Sequence, residues 1–506
     1  MSITTSADRV LAVDIGTSSV RAMVYDATGA IAARAKIEYG TIRPAPGFEE
    51  QDPDLVRAEA FRAIALCLGE AAAEPGRIGA IAFSSQLYGI IALDAAGRPL
   101  CRNILWSDGR AEREAATIVE RLGPLGFYPT TGCPTSSIFP IAKLAWLAGH
   151  RPEIHGAAAR FVSIKEYVTA PLVGDGVVDH SMASATGLFD IRRHEWYGPA
   201  LDVAGIDERR LSRPISGLEP LPLLPDGPLA GLGLRRDVVV FLGAGDGPLA
   251  NLGSGASRNG AINIDLGTSG AARCVTDRPI TDETASLWCF SLTPDLWAYG
   301  GILTNVGNAF AWLADLVAEA GGGRDAAFDL LDRRAEGIPP GADGLKVLPY
   351  LRTARSPTWD GRLKGTIFGL CPDHHLGHIA RAFHEAVAYD LASVIGLMDR
   401  HIETEPTVVL TGGLCRARML PQLLADVLGR PVATPQDGEG SIAGAAVLGL
   451  MGLGLVDRPA FDRPRSGDVV RLPDPEAAAR YRTLHREHER LVDAVRTISF
   501  DRRGHP

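Results

Sequence analysis

The chain has 506 residues, too many for one comfortable hydrophobic core, so two large domains are expected. With 46% hydrophobic and 22% charged residues it has the balance of a soluble globular protein, which excludes a disordered or fibrous chain. A formal net charge of -9 offers no general attraction to nucleic acid or anionic lipid, so neither nucleic acid nor a membrane is expected as a partner. The 7 cysteines are scattered, odd in number and lack any CxxC, which argues for reduced thiols in the cytoplasm over a disulfide framework or a zinc site.

The first ten residues, "MSITTSADRV", have no charged start, apolar centre and small-residue cleavage site, so no export signal is expected. In chain order, buried strand-like runs then follow: "RVLAVDIG" from Arg9, "IGAIAFSS" from Ile78, "DVVVFLGAGDG" from Asp237, "GAINIDLG" from Gly260 and "TVVLTGG" from Thr407. They alternate with longer helical patterns, which predicts an α/β protein whose sheets lie under helices. Glycine and serine concentrate between Asn251 and Ala261, where the boundary between halves is expected. The segments 321–344 and 457–474 read as connectors. The apolar run Ile442–Val456 is shorter than the roughly 20 residues of a membrane helix and rich in small residues, so it reads as a buried, closely packed helix. A final helix is expected from Asp474, with Asp474 as cap, Pro475 in the first turn, and Tyr481, Leu484, Leu491, Val495 and Ile498 on one face.

The run "VDIGTSSVR" (Val13 to Arg21) has a near copy in "IDLGTSGAA" (Ile264 to Ala272). Glycine at such a strand end lets the backbone approach a phosphate, and Thr17 and Ser18 can donate hydrogen bonds to its oxygens. Asp14 can hold a magnesium ion through water, since magnesium prefers oxygen ligands and keeps several waters. Gly412 and Gly413, between a strand and a helix, offer bare backbone on which a flat adenosine could lie. No GxxxxGK[ST] occurs, so a P-loop is excluded. Asp246, flanked by Gly245 and Gly247 at a strand end, suits a general base for an acceptor hydroxyl, and is equally suited to capping a helix from about Pro248. His374, His375 and His378 lack a completing carboxylate or cysteine, so a solvated helix start is favoured over a metal site.

Taken as an ordered set, "DIGTSSVR", "GFEEQDPD", "SSQLYG", "ILWSDGRAE", "DHSMASATGLFD", "GAGDGPLANLG", "IDLGTSG", "GTIFGL" and "TGGLCRARMLPQLLADVLGRPV" resemble the FGGY carbohydrate kinases of the actin, Hsp70 and hexokinase superfamily. The resemblance implies two ribonuclease H-like domains with an interdomain cleft. The expected division is 1–254 for the sugar-binding and catalytic-base domain, 255–458 for the ATP-binding domain and 459–506 for a C-terminal extension. It also implies ATP and Mg2+ as cofactors, with Asp14, Gly16, Thr17 and Ser18 as the first phosphate loop. Gly267, Thr268 and Ser269 match the second loop, Gly412 and Gly413 the adenosine motif, and Asp246 the base.

Gln86 and Tyr88 of "SSQLYG", and Trp106, Asp108 and Arg110 of "LWSDGR", match the family's sugar-binding segments. Each has a plainer alternative: Trp106 in a core, Tyr88 only packing, Asp108 and Arg110 pairing with each other. "SQLYG" and "ILWSDGRAE" are similar to xylulokinases, whereas "DHSMASATGLFDI" and "GAGDGPLANLGSGA" are similar to gluconokinases, so D-xylulose and D-gluconate are the expected acceptors. Tyr88 departs from the histidine usual in both. Arg110 could face a gluconate carboxylate, whereas a neutral ketose needs no cation. The small sugar and ATP are the expected partners, with a homodimer as a candidate assembly. An actin- or Hsp70-like ATPase switch, or a non-catalytic sugar sensor, is the rival reading.

Overall fold

The structure is a computed structural model that describes residues 7–498, apart from 124, 175, 319–322, 436–439 and 458–466, and for 325 and 416 the backbone alone. The chain divides into two compact units, one of Met1–Ser257, Val275–Tyr299 and Glu439–Asp462, the other of Arg258–Cys274, Gly300–Gly438 and Arg463–Pro506. Two segments expected with the C-terminal half therefore pack with the first unit. The C-terminal extension packs largely with the second, and its expected start at 459 lies outside the described residues.

The first unit is built on a 6-stranded sheet in the order Leu221–Pro222, Val239–Gly245, Ile78–Ser85, Arg9–Ile15, Ser19–Asp26, Ile31–Glu38. Strand Arg9–Ile15 runs parallel to Ile78–Ser85, which runs parallel to Val239–Gly245. Successive side chains of a strand point to opposite faces. Leu11, Val13 and Ile15 accordingly join a core with Val56, Ala60 and Ile64 of helix Pro53–Gly69 and Val168 of helix Ile164–Val173. Val10 and Ala12 join another with Ile442, Ala445 and Leu448. Both faces are covered, which is why these strands read as continuous apolar runs.

Helix Gly440–Gly452 is the buried helix expected from Ile442 onward. Its glycines permit the contact: a Cβ on Gly444 would stand 1.9 Å from the Leu249 carbonyl oxygen. Among the described residues no helix is long and apolar enough to cross a membrane, and all seven cysteines are free.

In the second unit, strands Ala261–Leu266, Thr407–Thr411, Val432–Thr434 and Val469–Arg471 lie side by side in that order, and residues 270–274 of strand Gly270–Thr276 pair with the first of them. Helix Pro475–Thr497 packs near helix Leu376–Met398 through a buried network in which Glu385 accepts from Arg381 at 2.8 Å and from Tyr481 at 3.2 Å. Asp474 caps that last helix as expected, accepting from the Glu476 and Ala477 amides. Ile498 does not share its buried face, because the helix ends at Thr497.

The stretch 321–344 is not a plain connector. It carries helix Gly323–Glu336, whose Ala327, Leu331 and Ala335 bury one side at four-residue spacing. Alanines supply two of those three positions, so the stripe is faint in sequence; residues 321 and 322 lie outside the described set. Likewise 457–474 carries edge strand Val469–Arg471, with 458–466 outside the description.

Candidate active site

Three neighbouring parallel strands of the first unit end at one level: Ile15 is opposite Ser85, and Ser85 opposite Gly245. The next residue after each strand, Gly16, Gln86 and Asp246 respectively, therefore lies on the carboxyl edge of the sheet, where open α/β sheets build ligand sites. Gly16 turns the chain back, its amide donating to the Ser19 carbonyl at 3.0 Å, and leaves Ser18 exposed.

Side chains knit this edge together. Trp106 Nε1 donates to Thr17 Oγ1 at 3.0 Å, and Thr17 Oγ1 to Gln86 Oε1 at 3.3 Å. Gln86 Nε2 donates to the Gly16 carbonyl at 3.2 Å and to Gln51 Oε1 at 2.8 Å, while Gln51 Nε2 donates to the Thr17 carbonyl at 2.6 Å. Asn103 completes the net by donating to Gln51 Oε1 at 3.2 Å. Thr17, expected in the phosphate loop, is thus joined directly to Gln86 and Trp106, expected at the sugar. Gln51 and Asn103 were missed, although Gln51 stands in the "GFEEQDPD" segment that helped to carry the family resemblance.

Asp14 faces inward. Its Oδ2 accepts two bonds from Arg21, at 3.2 and 2.7 Å, and its Oδ1 accepts from Ser84 Oγ at 2.6 Å. Its side chain is 5% exposed. The carboxylate is paired with a guanidinium, accepts on both oxygens and is nearly buried, so little of it is open to a hydrated magnesium ion. As folded, Asp14 anchors the loop instead; Arg21 also reaches Ser441 Oγ at 3.1 Å, tying the loop to helix Gly440–Gly452.

Asp246 is the first residue of helix Asp246–Ser254, so Gly245, not Asp246, is the N-cap. The helix starts earlier than Pro248 because Asp246 already has helical geometry, and its half-buried carboxylate sits in the first turn, where the helix dipole favours an anion. Its Oδ1 accepts from the Gly247 amide at 2.7 Å.

Tyr88 is buried at φ 69°, its ring edge-on to Phe139 at 5.4 Å and near Phe290 at 6.0 Å. Lys143, wholly buried, donates to the carbonyls of Tyr88 and Leu105, each at 2.7 Å, and so staples the two sugar-matching segments together. Asp108 and Arg110 take the plainer alternative. Arg110 donates to both Asp108 oxygens, at 2.8 and 2.7 Å, and to Glu50 at 2.7 Å, with its guanidinium 4.1 Å from the Phe48 ring centre. Asp108 also accepts from the Glu49 amide at 2.6 Å.

The second unit repeats the first loop's design. Gly267 donates to the Ser269 carbonyl at 2.9 Å, and the amides of Gly307 and Asn308, opening helix Gly307–Ala318, donate to the Gly267 and Thr268 carbonyls at 3.1 and 3.0 Å. The copied motif extends to its charges: Arg273 donates to Asp265 Oδ2 at 3.2 Å, as Arg21 does to Asp14. Here the carboxylate is more open, with 40% of its side chain exposed. Asp265 lies opposite Thr411, which brings Gly412 and Gly413 beside the Gly267 loop. At Gly412 a Cβ would stand 2.4 Å from the Leu266 carbonyl oxygen, so only glycine fits. Gly307 was missed; its Cβ would stand 2.3 Å from the Gly267 carbonyl oxygen.

The three histidines form a helix start, with His375 as the cap and His378 Nε2 3.2 Å from Asp343 Oδ2. Among the described residues no group of three or more His, Cys, Asp or Glu could hold a metal ion.

A tight strand-end loop in each unit, and a carboxylate on the same sheet edge as the first, fit what phosphoryl transfer requires. Comparison with known proteins gives the class its name. Residues 9–253 match the N-terminal domain, and residues 262–453 the C-terminal domain, of the FGGY family of carbohydrate kinases. The chain is 33% identical over 487 residues to a gluconokinase of Bacillus subtilis, covering 94% of both chains. It is 26% identical over 498 residues to a xylulose kinase of Lactococcus lactis, covering 97% of both. A gluconate kinase structure from Lactobacillus acidophilus superposes with a TM-score of 0.89 at 28% identity, covering 96% of this chain and 98% of that one. The chain belongs to the FGGY family of carbohydrate kinases and has that family's two-domain fold. It is a phosphotransferase that uses ATP to phosphorylate an alcohol group of a small sugar or sugar acid.

Proposed function

We propose that the acceptor is D-gluconate and that Asp246 is the general base. The observation that carries the reading is the common level of three strand ends, which aligns the Gly16 loop, Gln86 and Asp246 in a chain one-third identical to gluconokinases along nearly its whole length. Asp246 takes the proton from the acceptor hydroxyl; that oxygen forms a bond to the γ-phosphorus of ATP as the bond to the β–γ bridging oxygen breaks, and ADP leaves. The Gly16, Thr17 and Ser18 loop, and the Gly267, Thr268 and Ser269 loop, cradle phosphate oxygens through the tips of their turns, with the exposed Ser18 hydroxyl as a donor; the Thr17 hydroxyl, already donating to Gln86, holds its loop in shape. Gly412 and Gly413 give the adenosine a flat backbone surface. Magnesium enters as part of the MgATP substrate, and Asp14 keeps its loop in place through Arg21 and Ser84. Gln86, Tyr88 and Trp106 border the acceptor, while Asp108 and Arg110 shape the segment behind them.

One observation favours a second acceptor. Arg110, the cation that could face a gluconate carboxylate, is engaged by Asp108 and Glu50, an arrangement that suits a neutral ketose such as D-xylulose. Coupled ADP release with D-gluconate, D-xylulose, D-ribulose, L-ribulose and glycerol decides. The highest kcat/KM is expected with D-gluconate. A higher value with D-xylulose transfers the proposal to the ketose, and brisk ATP hydrolysis that no acceptor stimulates overturns both in favour of a switch.

A further inference from the structure

Strand Val239–Gly245 does not run straight to Asp246. Its pairing with Ile78–Ser85 sets Phe241 opposite Ala82 and Ala244 opposite Ser84, so Leu242 and Gly243 together face Phe83 alone. This is a β-bulge, a device that bends a strand and re-aims the side chains beyond it. Gly243 makes it sterically allowed, at φ 67° with a would-be Cβ 1.9 Å from the Phe83 carbonyl oxygen. A bulge takes backbone carbonyls off the ladder, and buried carbonyls need donors.

Lys165 supplies them. It sits in the first turn of helix Ile164–Val173 and is 1% exposed. Its ammonium donates to the carbonyls of Leu242 at 2.9 Å and Ala244 at 2.8 Å, and to Asp179 Oδ2 at 2.8 Å. Three donors meet three acceptors, and Asp179 balances the buried charge. Asp179 caps helix His180–Ser184 through the Met182 amide at 3.0 Å, and Ser181 Oγ from that helix accepts from the Gly245 amide at 3.1 Å. The backbone groups that set the direction of the chain into Asp246 are thus held by one small cluster. Burial lowers the Lys165 pKa, and the negative charges of Asp179 and then Asp246 oppose that shift.

Resting on the reading of Asp246 as base, we propose that Lys165 is a positioning residue: with Asp179 and Ser181 it clamps the bulged strand end so that the Asp246 carboxylate meets the acceptor hydroxyl in reacting geometry. Lys165, Asp179 and Ser181 are each 1% exposed and offer no surface to an acceptor, so loosening the cluster lowers turnover and spares binding.

Two variants test this beside Asp246→Asn, with kcat from ADP release, Kd for gluconate and ATP from calorimetry, and thermal midpoint. Lys165→Met alone strands the Asp179 charge, so the pair Lys165→Met with Asp179→Asn removes both charges together. In that double variant kcat is expected to fall about 10²-fold, the scale of an ångström of misplacement, with both Kd values within about threefold of the parent. Ser181→Ala, which deletes one bond and disturbs the fold least, is expected to lose several-fold in kcat with binding unchanged; it decides alone if the double variant does not fold. Parental kcat in the folded double variant or in Ser181→Ala overturns the clamp, as does a parallel loss of gluconate and ATP binding, the mark of general damage. If Asp246→Asn itself turns over normally, the base assignment fails. An inactive Asp246→Asn beside fully active cluster variants leaves the base standing and removes the clamp.

Discussion

Replacing Gly412 by alanine tests the nucleotide half of the reading with one methyl group. Gly412 sits at φ 90°, ψ 172°, a region populated essentially by glycine, where a side chain costs about 1–3 kcal/mol. The new Cβ would stand 2.4 Å from the Leu266 carbonyl oxygen and 2.6 Å from Asp265 Oδ1, against about 3.5 Å for an ordinary contact. Something must yield by about 1 Å, and the nearest movable piece is the strand end that opens the Gly267 loop. At about 2 kcal/mol the thermal midpoint should fall roughly 4–8 °C for a unit of this size. If the adenosine lies on the glycine pair, the KM for ATP should rise at least about tenfold, the equivalent of 1.4 kcal/mol. Gluconate binding, measured by calorimetry, should not change, because Gln86, Tyr88 and Asp246 belong to the other unit. An ATP KM within about twofold of the parent in a variant that shows the expected thermal loss would refute the placement of the nucleotide there.

Asp246→Asn keeps an oxygen for the Gly247 amide, so the thermal midpoint should hold while turnover falls about 10²- to 10⁴-fold in the ADP-release assay. Gln51→Leu leaves the Thr17 carbonyl, Gln86 and Asn103 each short of a buried partner; a loss of about 1–3 kcal/mol per group in urea unfolding and a raised acceptor KM are expected. His180 has its pKa pushed down to about 4, by burial first and then by His194, which stacks on it at 4.3 Å. Between pH 6.5 and about 4 the unfolded chain therefore binds a proton that the folded chain refuses, so stability falls as pH falls through that window. His180→Gln should flatten the slope of unfolding free energy against pH there; an unchanged slope would remove His180 as its source.

The parts of this molecule that were legible in sequence are those where backbone chemistry dictates residue type. Strand ends that turn tightly beside other backbone need glycine, and strands covered on both faces need unbroken apolar runs; hence the doubled loop, the glycine pair and the α/β class could be read directly. Side-chain partnership across long sequence distances could not. Lys143 and Lys165 look like two ordinary surface lysines, since lysine is almost never fully buried. Only the fold reveals that one staples the Tyr88 segment to Leu105 and the other holds the bulge before Asp246. Helix Gly323–Glu336 was hidden for a related reason, its buried stripe being built largely of alanine.

The same distinction explains why Asp14 and Asp265, identical in motif, end in different surroundings. Arg21 lies directly opposite Asp14 across the hairpin and can give it two bonds. Arg273 lies opposite Asn263, two residues short of Asp265, and divides its guanidinium between them. The first carboxylate is thereby locked and the second left open. The consequence is an asymmetry in what each can lose. Asp14→Asn should act mainly on stability, by removing the negative charge that Arg21 faces in a partly buried site, at about 1.5–3 kcal/mol, the scale of a charge-assisted bond. Asp265→Asn, with a weaker and more exposed pair, should cost no more than about 1 kcal/mol. Thermal midpoints of the two variants measured side by side would expose an error in this reasoning: equal losses would mean that register across the hairpin does not govern how tightly each aspartate is held.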